Sequence, residues 1–296
     1  MISVRRVVAV LAVLTTASFA PPAVALPGGT GQGISATIAT PYGGQIRTFN
    51  VYVAPRVPTE TPVPLLIVLH GLYLDPATAE ASSGLDAVAD SQDVAVVYPA
   101  GIHGSWNAGA CCGDSRATQV DDVGYLIHVI HLVQKLRPLD LTRVYVAGFS
   151  NGGMMALRAV CDRPDVFAAA VAVGATLQTP CRGAKPLSAL LVNGLRDTTV
   201  PYRGARYSRF LKVPLTPVPT TVGTLVNRSR CTANRVLRRP VYTERLYVGC
   251  AQRTSIDSVV LPAMGHRWPT AGHDRVDGGA LAWGFLRTHR TGAQPS

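Results

Sequence analysis

The chain has 296 residues, 47% of them hydrophobic, with 28 lysines and arginines against 17 acids and a formal net charge of +11. That much apolar material excludes a disordered chain and is enough for one large core or two small ones. The basic excess is local: twelve of the lysines and arginines lie between Arg196 and Arg253 beside only Asp197 and Glu244, so this segment alone carries +10.

Arg5 and Arg6 precede an uncharged apolar run from Val7 to Ala20, and Ala23-Val24-Ala25 follows with small residues at its first and third places. This pattern predicts a secretory signal peptide over 1–25, cleaved near Ala25, and an exported protein. The run is short for a spanning helix and no second stretch of about 20 apolar residues follows, so no stable membrane anchor is expected. The remainder, 26–296, has neither linker nor repeat and reads as a single domain.

Residues 33 to 40 and 45 to 53 alternate apolar and polar positions, Ile46, Phe49, Val51 and Val53 among them, around Gly43-Gly44, which predicts a β-hairpin at a sheet edge. Pro64 to His70 is a continuous apolar run too short for a helix, the signature of a strand covered on both faces. A helical segment around Ala79 to Ala89 leads to a second buried strand, Val94 to Tyr98. Asp121 and Asp122 open a helix as favoured first-turn acids, with Val123, Leu126, Ile127, Ile130 and Val133 as its buried stripe. His128, His131 and Lys135 fall off that stripe and read as solvated.

Arg143 to Cys161 then runs strand, Gly148-Phe149-Ser150-Asn151-Gly152, helix. A serine at the tip of such a turn sits in strained backbone geometry, so the residues two before and two after must be nearly without side chain. Strands follow at Phe167–Val173, Ser188–Asn193 and Ser258–Pro262, and a helix at Gly279–His289. Strands alternating with helices predict an α/β fold with a mainly parallel sheet. The stretch 201–257 breaks the alternation and holds Pro214, Pro217 and Pro219; it reads as a cap-like insertion over the strand ends, ahead of the catalytic histidine.

A nucleophilic Ser150 needs a base and an acid, which follow it in the chain order serine, acid, histidine of the α/β-hydrolase arrangement. His289 lies on the terminal helix and His273 in a loop remote from any strand, whereas His266 directly follows a strand. Asp197 likewise follows a strand; Asp162 and Asp165 trail the helix after Ser150, and Asp257 begins a strand. The oxyanion hole draws one backbone donor from Asn151 and the other from the loop His70-Gly71-Leu72, with Leu72 first and Gly71 second choice. His70 itself reads as a hydrogen-bonded structural residue.

Six cysteines in an exported chain predict three disulfides. No pair has the two-residue gap of a zinc knuckle, so no metal is expected. Cys231 and Cys250 bracket a short segment and should pair. Cys111 and Cys112 are neighbours, between which a bridge is strained; they are expected to join Cys161 and Cys181, in an order the sequence leaves open.

Taken together, VLHG at 68–71, YPAG at 98–101, SWNAGACCG at 105–113, VDDVGYL at 120–126, GFSNGGMMA at 148–156, RDTTVPY at 196–202 and GHRWP at 265–269 resemble the secreted esterases related to polyhydroxybutyrate depolymerase and to feruloyl and acetylxylan esterases. The resemblance implies an α/β-hydrolase fold, the triad Ser150, Asp197 and His266, no cofactor, and Trp106 and Trp268 near an acyl pocket. It does not extend to the arginine-rich segment, nor to the linker and surface-binding domain of depolymerases that degrade solid polyester. The expected activity is ester hydrolysis on an extracellular polymer or its oligomers. The alternatives are acyl transfer to a cell-envelope sugar, or a catalytically silent hydrolase fold that binds wall polymer. The basic segment points to an anionic polysaccharide or cell envelope; nothing resembles a base-reading motif, so nucleic acid is not expected.

Overall fold

The computed structural model describes residues 33–54 and 60–292. The leader expected over 1–25 lies outside them. The strands are β1 (Ile34–Tyr42), β2 (Gln45–Val53), β3 (Val63–Leu69), β4 (Ala95–Pro99), β5 (Leu139–Phe149), β6 (Ala169–Val173), β7 (Ala189–Gly194), β8 (Ala205–Ser208), β9 (Val213–Leu215), β10 (Ala233–Arg238), β11 (Thr243–Val248) and β12 (Ile256–Leu261). The helices are α1 (Pro76–Ser83), α2 (Leu85–Ser91), α3 (Gly113–Ala117), α4 (Asp122–Leu136), α5 (Asn151–Asp162), α6 (Val218–Ser229), α7 (Ala271–Asp274) and α8 (Gly278–Leu286).

The main sheet runs β1-β2-β4-β3-β5-β6-β7-β12-β11-β10. From β4 to β12 the neighbours are parallel. Antiparallel pairs close both edges. β3 shows why its run is continuously apolar: Leu65, Ile67 and Leu69 join one core with α4, α5 and α6, while Leu66 and Val68 join a second with α1, α2 and α8. Each side chain so buried contributes about 1.5–3 kcal/mol by leaving water. This is the α/β-hydrolase fold that the sequence predicts.

Three local expectations are corrected. The single helix over 79–89 is two, because Gly84 stands between them at φ 68°, a left-handed conformation that ends α1. In the first hairpin the inward phase is Arg47, Phe49, Val51, so Ile46, counted with the apolar set, is 70% exposed and Arg47 only 3%. His128 is not a free surface residue: its Nε2 lies 2.8 Å from the Thr40 hydroxyl of β1, although His131 is exposed.

The stretch 201–257 divides in two. β8 and β9 form a small separate sheet, whereas β10 and β11 pair onto β12 and widen the main sheet. Having strand-forming residues and a free edge to join, the second half runs alongside the strands instead of covering their ends. Arg238 pairs with Thr243 and Thr243 with Val260, so Arg238 and Arg239 still lie level with the C-terminal end of β12.

The expected Cys231–Cys250 bridge is present, but Cys111 and Cys112 bond to each other across a cis peptide, and Cys161 bonds to Cys181. The reason is placement: Cys161 ends α5 with its Cα 5.0 Å from that of Cys181, and Arg228 of α6 holds this loop by bonding the Cys161, Arg182 and Lys185 carbonyls. With those two cysteines joined, the adjacent pair has only itself. The Cys231–Cys250 bridge closes the β10–β11 hairpin over a separation of 19 residues, worth about 3 kcal/mol in the chain-entropy model. Replacing both with alanine is expected to lower stability by about that amount in urea unfolding while leaving turnover of a small ester unchanged.

Candidate active site

Three strands deliver the three residues. Ser150 follows β5 directly, Asp197 lies just past β7, and His266 just past β12, all at the C-terminal edge of the parallel sheet. Ser150 has φ 53° and ψ −121°, a strained combination that raises its side chain above the strand. The flanking glycines are required by contact as well as torsion. A methyl on Gly148 would collide with the Gly152 backbone, and one on Gly152 with the carbonyls of Leu69 and His70.

His266 Nε2 is 2.9 Å from Ser150 Oγ, and its Nδ1 is 2.7 Å from Asp197 Oδ2. The second carboxylate oxygen, Oδ1, accepts the backbone N–H groups of Thr199 and Val200 at 2.9 and 2.8 Å. Asp197 is therefore fixed and acceptor-only toward the imidazole. That places the imidazole proton on Nδ1 and leaves Nε2 to accept the serine proton. The ring packs on Phe149, with centroids 4.7 Å apart.

The other acids and histidines weighed from the sequence are placed elsewhere. Asp162 and Asp165 pair with Arg158 and Arg163, and His273 is exposed on α7. His289 is buried with its ring nitrogens on the Phe285 carbonyl and Ser255 hydroxyl, and burial lowers its pKa. Asp257 lies on β12, where burial and then the Glu244 charge push its carboxyl up to about 7.

The loop after β3 brings Gly71 against Ser150 and makes Leu72 the next backbone donor. Among the described residues neither the Leu72 nor the Asn151 N–H is bonded to a protein acceptor. Trp106 and Trp268, expected beside an acyl pocket, are both buried in the two cores and offer substrate little ring surface. Tyr73, next to Leu72, and Phe210, between β8 and β9, are exposed rings that meet edge to face at 6.3 Å.

Sequence reasoning missed a buried ion pair. Arg47 bonds Asp122 at 2.8 Å with both side chains out of water, and the guanidinium also lies 3.6 Å over the Tyr125 ring. Asp122 is thus more than a helix-start acid; Asp121 is the N-cap, accepting the Gly124 N–H. Burial raises the Asp122 carboxyl despite the opposing effect of the Arg47 charge. The available signal was Arg47 itself, a charge in phase with Phe49 and Val51.

A parallel sheet with a serine at a strained strand-to-helix turn, bonded through histidine to a fixed aspartate, defines a serine hydrolase of the α/β-hydrolase class. Residues 87–180 match the model of the prolyl oligopeptidase family. NocK of Nocardia uniformis subsp. tsuyamanensis, named as a candidate esterase, is 30% identical over 76% of this chain and 72% of its own length. Feruloyl esterase B of Piromyces equi is 26% identical over 76% of this chain, which spans 42% of that protein. Acetyl xylan esterase from Aspergillus awamori superposes with a TM-score of 0.54 at 14% identity, covering 80% of this chain and 94% of that one, a likeness of fold. The chain belongs to the α/β-hydrolase family whose members are named as esterases, feruloyl and acetylxylan esterases and polyhydroxyalkanoate depolymerase, and it is a serine carboxylic-ester hydrolase.

Ser150→Ala and His266→Ala are each expected to lower kcat by about ten thousand- to a million-fold, and Asp197→Asn by about ten thousand-fold. The double variants should be little worse than the worst single one, because the three act as a unit. Near-full activity in Asp197→Asn, measured on p-nitrophenyl acetate, would show that the acid lies elsewhere.

Proposed function

We propose that this protein is an exported esterase that cleaves carboxylic esters on an extracellular polymer or its oligomers, either a polyhydroxyalkanoate or the feruloyl and acetyl esters of a polysaccharide. The observation that carries the reading is the hydrogen-bond chain from Ser150 through His266 to Asp197 beside two free backbone donors. The leader-like first 25 residues and the three disulfides support export. Among the described residues no helix is long and apolar enough to cross a membrane.

In the reaction, Ser150 Oγ attacks the ester carbonyl carbon as its proton passes to His266 Nε2. The carbonyl oxygen becomes an oxyanion facing the Leu72 and Asn151 N–H groups. Collapse breaks the bond to the alcohol oxygen, which leaves with the proton from Nε2. Water, deprotonated by the same nitrogen, then attacks the acyl-serine; the acid departs and the proton returns to Ser150. Asp197 holds the imidazole and offsets its positive charge throughout. The step needs no group beyond these residues and water.

The basic segment supports an anionic polymer or envelope surface as the partner. Among the described residues none of its twelve lysines and arginines is in an ion pair, although Arg228 is engaged by carbonyls. β10 stands five strands from β5. That is about 24 Å at about 4.8 Å per step, beyond the Debye length of about 10 Å at 0.1 M salt. Arginines there act on a long chain lying across the molecule and hardly at all on the reacting ester.

A panel of methyl ferulate, acetylated xylan and short hydroxybutyrate oligomers, with Ser150→Ala as control, tests the ester class; absence of Ser150-dependent turnover on all three would remove the proposal. Moderate salt is expected to raise KM about tenfold or more for an acidic polymeric ester, and hardly at all for a neutral small one. Arg235→Glu, Arg238→Glu and Arg239→Glu together should reproduce the effect at low salt without changing kcat. Equal salt dependence for the two substrates would reduce the arginines to a solubilising surface.

A further inference from the structure

The two oxyanion donors sit on separate elements, Leu72 after β3 and Asn151 at the start of α5, and must meet a single oxygen at 2.7–3.1 Å. A displacement of about 1 Å costs roughly a hundredfold in rate. One residue touches both, by its backbone on one side and its side chain on the other. Trp106 receives the Asn151 amide at two points: its backbone N–H donates to Asn151 Oδ1 at 2.8 Å, and its carbonyl accepts from Nδ2 at 2.9 Å. The same residue's indole Nε1 donates to the His70 carbonyl at 3.0 Å, at the root of the other loop.

His70 completes the link. Its Nε2 accepts the Gly101 N–H at 2.9 Å, so the ring proton is on Nδ1, which donates to the Gly71 carbonyl at 2.8 Å. In a trans peptide the carbonyl and the next N–H point in opposite directions. Fixing the Gly71 oxygen toward His70 therefore turns the Leu72 N–H away from it. Burial lowers the His70 pKa and keeps the ring neutral, as this pattern requires.

The loop carrying Gly101 and Trp106 is itself held at both ends by the buried ion pair. Arg47 donates to the Ala100 carbonyl at 2.8 Å, and Asp122 Oδ2 accepts the Asn107 N–H at 2.7 Å. Arg158 adds a bond to the Asn107 carbonyl at 2.6 Å. The buried charge pair thus fixes this loop at Ala100 and at Asn107.

We propose that Trp106, the Asn151 side chain and His70 are positioning residues that set the spacing of the Leu72 and Asn151 oxyanion donors, through a loop stapled by Arg47 and Asp122. The inference rests on the Ser150 reading above. An active Ser150→Ala would remove that reading, whereas an inactive Ser150→Ala beside an unaffected Trp106→Phe would remove only this one.

Trp106→Phe keeps a buried ring and deletes the single indole N–H. It is expected to lower kcat about tenfold on p-nitrophenyl acetate with KM within twofold. The inhibition constant of phenylboronic acid, whose serine adduct places an oxygen in the hole, should rise by the same factor. Asn151→Ala should do the same by ten- to a hundredfold. A purely structural role predicts a lower Tm with kcat and boronate affinity within twofold of wild type, and that result overturns the proposal. If either variant fails to fold, long-range 1H–15N correlation of His70 in the wild-type protein decides: protonation on Nδ1 upholds the arrangement, and protonation on Nε2 overturns it.

Discussion

The close approach of the first turn of α5 to the end of β3 is the constraint on which the site depends. Gly152 packs on the carbonyls of Leu69 and His70 with no room for a Cβ, and this contact joins the nucleophile's turn to the loop that carries the second oxyanion donor. Ser150 can hold its unfavourable torsion only because α5 is fixed behind it, buried along nearly its whole length between β5, β6 and α4. Strain at one residue is affordable when many apolar contacts share the load.

The parts of this arrangement that follow from local pattern were legible in the sequence. Runs such as Pro64–His70 read as strands because both faces are covered, and chain order selected Asp197 and His266 because only they follow strands after Ser150. What was not legible depends on tertiary partners. Arg47 looked like one more polar position in a hairpin until its phase with Phe49 and Val51 is noticed, and Asp122 looked like a cap. Their meeting across 75 residues is a property of the fold. The disulfides divide the same way: Cys231 and Cys250 bracket a local hairpin, whereas the partner of Cys161 is set by how the loop after β6 folds back on α5.

The stretch 201–257 shows a different limit. Its prolines and broken periodicity marked it as an interruption, yet half of it is regular sheet. β10 is exposed on both faces and β11 is half-buried apart from the exposed Arg245, so neither carries the alternation of a strand with one covered face, and four arginines in β10, β11 and the turn between them obscure what remains. Those charges also suit an outermost strand, whose unpaired backbone would otherwise invite another chain to add to the sheet.

The hairpin of β10 and β11 contacts the body through β12 and is closed by its own disulfide, with no side chain in the hydrogen-bonded set around Ser150. Its outer residues are mostly exposed, so exchanging them disturbs neither core. Selection can therefore rewrite the charge of this edge without paying in fold or chemistry. With no buried residue, β10 is where the surface charge of the main sheet is freest to change.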